Sequence, residues 1–345
     1  MKKLFACMSL LFSVSFSAQA LVILQYHHID DSTPAVTSTR VDDFMAHMEL
    51  LEKEGMHIID LKDALEKVQR NEALPEKSVA ITFDDAYSSI YDNAWPKLKE
   101  LGWPFTIFVN PTQIDNKVRN MITWEQLKEL QDAGVLIANH SQTHPYLIEP
   151  HGEADLATFL DKEINGAEQR LKEVLGTSHK IFAYPYGEFN AEIMQWLDEQ
   201  GYIGIGQHSG AVGPDTNFLA VPRYPAGGIY ANPSTLRTKL YTLAFPISAD
   251  QFIDPVLGEH NPPSISLEFT LKDIYTSQIQ CYSGSEGALD TKATKDGDLI
   301  KVSTGAKKAI TSGRDRYNCT APSRSKPGWY YWYSQYWINP SVSNR

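Results

Sequence analysis

Residues 79–87 read VAITFDDAY, an apolar run closed by two adjacent carboxylates, Asp84 and Asp85. Like charges this close repel unless something positive sits beside them. The pair therefore marks either a turn cap, a position Asp favours, or a metal or catalytic site. A second stretch, NHSQTHPY, carries His140 and His144 four residues apart. In a helical turn that spacing sets both imidazoles on one face, a common way to hold a divalent metal; Pro145 predicts a single turn or a loop instead of continued helix. Two neutral imidazoles and one carboxylate form an open three-ligand site with room for water and a substrate oxygen. Adjacent residues of an extended strand point to opposite sides, so one aspartate binds metal and the other faces the water; spacing does not say which. A third stretch, FAYPYGEFN, brackets Tyr186 between Pro185 and Gly187 in a tight loop. Such a loop either aims a backbone N–H at an oxyanion or simply joins a strand to a helix.

These residues come from distant parts of the chain, so some element must gather them. From residue 21 onward, short apolar runs (LVILQY, MHIID, SVAITF, PFTIFV, GVLIAN, KIFAY, YIGIG) alternate with amphipathic stretches at 41–54, 61–70, 88–101, 124–133, 153–175 and 191–200. Strict β-α order predicts a parallel sheet covered by helices, either a barrel or an open doubly wound sheet. Both architectures put their chemistry at the carboxyl ends of strands. His27 and His28, the Asp pair, Asn110, His140, His144 and Tyr186 all follow apolar runs and so share one rim. His27 and His28 are candidates for substrate hydrogen bonds, or for packing. Trp124 is a candidate sugar-stacking wall, whereas Trp95 shares a helix face with Leu98 and Leu101 and reads as core.

Residues 21–246 make up this α/β unit. Residues 247–262 lose periodicity, gain proline and read as a linker. Residues 263–345 carry strand-like runs between Gly, Ser and Asp turns, which predicts a small all-β, sandwich-like domain. Its GWYYWYSQYWI run shows aromatics on both faces of a strand: one for a core, the other for glycan stacking, as in a carbohydrate-binding module, or for a domain interface.

Residues 1–20 have the grammar of a signal peptide: Lys2 and Lys3, an apolar run from Leu4 to Phe16, then small residues at Ala18 and Ala20. The run is too short to span a membrane, so the expectation is export, to the periplasm or beyond, with cleavage near Ala20. An oxidising compartment then favours a Cys281–Cys319 disulfide. The net charge of −11 excludes nucleic acid and anionic membranes as ready partners.

TFDDAY, HSQTHP and YPYG, in this order, resemble the first three motifs of the polysaccharide deacetylases, carbohydrate esterase family 4 or the nodulation-deacetylase homology domain. LQYHHI and FAYPYG are most similar to the branch that deacetylates poly-β-1,6-N-acetylglucosamine. The resemblance spans residues 22 to about 225 and implies a distorted (β/α) barrel that hydrolyses N-acetyl groups of N-acetylated polysaccharides. It implies that Asp84 is the general base, that Asp85, His140 and His144 bind a divalent metal, usually Zn2+, and that Tyr186 offers its N–H to the oxyanion. Two departures follow. The family's Arg before the third motif is Ala183 here, which leaves Arg223 in VPRYP as the candidate to orient Asp84. The family's late Leu-x-His is absent, which leaves His208 in GIGQHSGAV as a substitute acid. An ester leaves more easily than an amide, so an O-acetyl esterase on acetylated xylan is the alternative activity; a catalytically degenerate glycan-binding protein is the alternative class.

Overall fold

The computed structural model describes residues 20–149 and 152–342. The expected leader, Ala20 apart, lies outside the described residues. Eight parallel strands form the main sheet: β1 (Leu21–Tyr26), β2 (His57–Ile58), β3 (Ser78–Asp84), β4 (Thr106–Val109), β5 (Leu136–Asn139), β6 (Ile181–Ala183), β7 (Ile203–Ile205) and β8 (Tyr224–Pro225). Their order is β8-β1-β3-β4-β5-β6-β7, with β2 on β3. The two ends of this sheet nearly meet. Val221 bridges Ile205 of β7, and three residues later Tyr224 pairs with Leu24 of β1, so segment 221–225 joins the curl into a distorted (β/α) barrel.

Apart from short β2, whose His57 is exposed, the strands are buried on both sides or nearly so, as a parallel sheet under helices must be. One set of alternate residues (Val22, Leu24, Val79, Ile81, Phe83) packs with Phe44, Met48 and Leu51 of the helix Val41–Lys53. The other set (Ile23, Ala80, Phe108, Ala138, Ile205, Val221) packs together across the inside of the curl. The period of two now dictates the site. Gln25, Asp84, Asn110, His140 and Arg223 follow the inner residues Ile23, Ala80, Phe108, Ala138 and Val221 at even spacing, so they form the next layer at the carboxyl end.

Besides a short two-stranded ribbon of His28–Ile29 with Ser38–Thr39, the strands after the barrel build two further sheets: β9 (Thr242–Ala244), β10 (Ser264–Thr270), β11 (Gln280–Ser283), β12 (Gly287–Ala288), β13 (Lys292–Asp296), β14 (Leu299–Gly305), β15 (Arg314–Pro322) and β16 (Tyr330–Ile338). The orders are β9-β16-β15-β11-β12 and β10-β14-β13. Alternate burial along β10 and β15 supplies a shared core of Ile265, Leu267, Ile300, Val302, Tyr317 and Trp337. Cys281 lies opposite Cys319 in register, and the two form a disulfide.

Two expectations need correcting. Thr242–Ala244, placed by sequence in the first unit, pairs with β16, so the second unit recruits the chain before any linker. Segment 247–262 is itself tied down: Asp254 caps the Ala191 N–H, the Leu257 N–H donates to the Ile338 carbonyl, and the Ile338 N–H donates to the Pro255 carbonyl. The aromatic strand β16 divides its faces between the β core and the barrel. Tyr331 and Trp337 enter the former, while Trp332 packs edge-on against Tyr224 of the latter.

Candidate active site

Asp84 ends β3 fully buried, and its carboxylate is held from two sides. Arg223, also fully buried, donates from Nη1 to Oδ1 at 2.7 Å and from Nη2 to Oδ2 at 2.9 Å. Gln25 donates to Oδ2 at 2.8 Å. Arg223 also donates from Nε to the Gly206 carbonyl at 2.9 Å and from Nη1 to Thr82 Oγ1 at 3.1 Å, so four of its five N–H groups are engaged. Burial pushes the Asp84 carboxyl up; the Arg223 charge, the nearby His140 and the Arg223 hydrogen bonds outweigh it and hold the group well below the usual carboxylate range.

Asp85 is not part of the extended strand. With φ of 71° at Asp85 and 57° at Ala86, the chain turns left-handed immediately after Asp84. The two aspartates are therefore separated by a turn, not by strand alternation. Asp85 Oδ1 lies 3.4 Å from both His140 Nε2 and His144 Nε2. The histidines sit on a loop, not on a helical turn, because Ser141 and His144 are both left-handed, with φ of 64° and 61°. Buried acceptors hold that loop. His140 donates from Nδ1 to the Ala183 carbonyl at 2.7 Å, which leaves Nε2 facing Asp85. Glu163 accepts from the Thr143 N–H and hydroxyl at 2.9 Å each, and Asn139 accepts from the Ser141 N–H.

Asp85 Oδ1 and His140 Nε2 are buried without hydrogen-bond partners. Burying such groups unpaired is costly, and a cation among them removes the cost. Ligand atoms bound tetrahedrally to one ion at 2.0–2.2 Å stand about 3.4 Å apart, so the donor set fits a small divalent metal. Burial and the adjacent His140 lower the His144 pKa to about 4, which keeps that imidazole neutral as a ligand requires.

The other candidates scatter. His27 Nε2 stands 3.9 Å from Asp84 Oδ2 with its side chain 22% exposed, and it lines the same cleft as Asp85 and His144. His28 does not: it is buried and stacks on Tyr87 with centroids 3.5 Å apart. Tyr186 is left-handed (φ 58°), with its ring between those of His144 and Tyr146. Gly187 follows in the same turn, where a Cβ would meet the Gln207 side chain at 2.6 Å. Trp124 forms no cleft wall; it caps a helix surface, bonding Asp115 at 2.9 Å beneath Arg170.

His208 is also elsewhere. It lines a separate cavity of about 120 Å3 between the barrel and β16, with its Nδ1 unpartnered, because Arg223 and not His208 follows the inner-face register. Burial brings its pKa down to about 4, partly opposed by a hydrogen bond to the Ala220 backbone. The unfolded chain takes this proton near pH 6.5, so between pH 6.5 and 4 the unfolded state binds more protons and stability falls as pH falls. His208→Gln is expected to remove about 2 kcal/mol of the stability lost between pH 7 and 4.5. Urea unfolding of both proteins at the two pH values measures it; an unchanged pH dependence would contradict this account of His208.

Gln25 and Glu163 are functional residues that sequence reasoning missed. Gln25 had a signal, a polar residue inside an otherwise apolar strand. Glu163, inside a predicted helix, had none. The cleft they serve is about 910 Å3 and is walled on one side by Ser285, Arg314, Arg316 and Tyr336 of the C-terminal sheets, which sequence reasoning placed in a separate module.

A parallel (β/α) barrel with an Asp–His–His cluster beside an Arg-clamped Asp at its carboxyl end defines a hydrolase site. The family model for polysaccharide deacetylases matches residues 71–205, and the chain belongs to that family. YxkH of Bacillus subtilis, assigned to the polysaccharide deacetylases, is 31% identical over 206 residues, 59% of this chain and 70% of its own. The poly-beta-1,6-N-acetyl-D-glucosamine N-deacetylase of Staphylococcus epidermidis is 27% identical over 52% of this chain, which spans 65% of that enzyme's length, just under two thirds. Among solved structures, IcaB from Ammonifex degensii superposes with a TM-score of 0.56 at 26% identity, over 64% of this chain and 97% of its own. The Streptococcus pyogenes deacetylase PplD (TM-score 0.58, 23% identity, 65% and 99%) shares the fold.

Proposed function

We propose that this deacetylase hydrolyses N-acetyl groups of N-acetylglucosamine-containing polysaccharides, yielding acetate and a free amine, and that it works exported and with a bound metal. One observation carries the reading: a clamped carboxylate, Asp84, lies 3.9 Å from His27 and beside the Asp85–His140–His144 donor set, in which buried Asp85 Oδ1 and His140 Nε2 lack partners, and His27, Asp85 and His144 line one cleft. The staphylococcal relatives, named as N-deacetylases of a glucosamine polymer, support the substrate class. The leader and the disulfide support export.

Asp85, His140 and His144 would hold the metal, with Zn2+ suiting two imidazoles and a carboxylate. When bound, it supplies Lewis acidity toward the acetyl carbonyl oxygen and the attacking water. Asp84 receives that water's proton. Three of its four acceptor positions are taken by Arg223 and Gln25, so one on Oδ1 remains for the task. The Arg223 clamp makes Asp84 a weak but permanently ionised base, suited to a water already acidified. The Tyr186 N–H meets the oxyanion. His27 donates a proton to the departing nitrogen, a role that the missing Leu-x-His leaves open and that His208 is too remote to fill.

Acetate release from N-acetylglucosamine oligomers and from O-acetylated xylan, with chelator and with zinc restored, tests the reading. The expected result is metal-dependent release from the oligomers, with His27→Ala slowing the amide far more than the ester, whose leaving group needs no proton. Release from xylan alone would make the protein an O-acetyl esterase. Glycan binding with no release from either would make it a binding protein.

A further inference from the structure

The chain is acidic, at −11 overall, yet the charge it exposes along the cleft is basic. Among the described residues two carboxylates line the cleft. Asp85 belongs to the metal cluster, and Asp315 is buried, accepting from Ser283 Oγ at 2.9 Å, Ser285 Oγ at 2.6 Å and the Arg316 N–H at 2.7 Å. Three arginines line it as well: Arg119, Arg314 and Arg316. Arg314 is neutralised by the fully buried Glu188, at 3.0 and 2.9 Å. Arg119 and Arg316 are in no ion pair among the described residues. Arg316 bonds the Tyr230 hydroxyl and lies 5.3 Å from that ring, whose centroid is also 4.8 Å from Lys239 Nζ. Burial and the Arg316 charge draw the Lys239 pKa down to about 8. Lys239 Nζ also donates to the Pro225 carbonyl at 2.9 Å, so one ring is shared by two cations with no carboxylate paired to either among the described residues, an arrangement that favours a ligand bringing negative charge.

We propose that the β15 wall is a subsite for an anionic group on the glycan, a carboxylate or phosphate on a sugar next to the acetylated one, held by Arg316 together with Arg119. Guanidinium groups suit such planar or tetrahedral oxyanions, and their charge draws the polymer to a chain whose overall charge would repel it. This rests on the cleft being the glycan site and names what flanks its acetyl group. The preferred polymer is then a heteropolymer, with N-acetylglucosamine alternating with an acidic unit.

Binding separates this from the chemistry. Calorimetric titration of wild-type protein and Asp84→Asn compares three oligosaccharides of equal length: neutral N-acetylglucosamine, N-acetylglucosamine alternating with glucuronate, and N-acetylglucosamine joined by phosphodiesters. The expected result is about tenfold tighter binding of at least one anionic oligomer at low salt, an advantage that shrinks as ionic strength rises. Which oligomer gains identifies carboxylate or phosphate. The advantage should persist in Arg316→Lys, fall in Arg316→Gln, and fall also in Arg119→Gln, an exposed position where folding is not at stake. Equal or tighter binding of the neutral oligomer, or an anionic advantage untouched by Arg316→Gln and Arg119→Gln, would overturn the subsite. Acetate release is followed in parallel; if none of the three releases any, the N-deacetylase reading falls while the binding ratio still decides the subsite.

Discussion

Asp84→Asn is expected to slow acetate release by about 10²- to 10⁴-fold, the contribution of a positioned general base, while the metal content of the purified protein stays at the wild-type level. Asn has the shape of Asp and keeps one acceptor for Arg223 and Gln25, so the cleft should hold its form. It cannot take a proton from water. Its amide N–H₂ also faces a donor where the carboxylate faced it with an oxygen, since both Asp84 oxygens accept from Arg223. Acetate assays with metal analysis read the two consequences separately. Loss of metal with Asp84→Asn, and retention with Asp85→Asn, would exchange the roles of the two aspartates.

Arg223→Met is expected to carry the largest stability loss in the molecule, about 3–5 kcal/mol, read as a shift in the urea midpoint. The substitution keeps bulk and removes the charge, leaving Asp84 fully buried without its counter-ion, and strips donors from Thr82 and the Gly206 carbonyl. The uncompensated Asp84 charge, not lost packing, is the main cause. Combining Arg223→Met with Asp84→Asn should therefore recover a substantial part of the loss. If the double substitution is as unstable as the sum of the singles, the pair is not coupled and Arg223 matters through packing.

The catalytic layer was legible to the degree that local chemistry marks it. Alternating apolar runs predicted the barrel strands where burial on both faces writes itself into sequence, as in Ser78–Asp84, and the partly exposed His57–Ile58 fell within one of them. β8 was missed, since two residues beside prolines carry no periodicity. Asp84, Asp85, His140 and His144 stood out by type and spacing, and Arg223 was suggested by what Ala183 lacked. The geometry of the histidine loop was not legible, because the loop with left-handed Ser141 and His144 is held by Glu163, twenty residues beyond Thr143, as well as by neighbouring Asn139. His208 and His27 show the limit most clearly. Both follow apolar runs, and only the register around the barrel decides which of them shares the cleft with Asp84.

The joining segment 221–225 also sets when the enzyme can come into being. Strand β1 begins the described chain, yet its second neighbour, β8, lies some two hundred residues downstream, and Asp84 meets its clamp across a separation of 139. Contacts so distant in sequence form late and slowly. Until Arg223 arrives, Asp84 must stay hydrated, and the inside of the curl cannot dry. β9, the strand leaving the barrel, then waits for β16, some ninety residues further on, as its partner. A chain made from its amino end would thus lack the clamp on Asp84 until residues 221–225 had followed, which leaves Asp84 without its counter-ion through most of the barrel's synthesis.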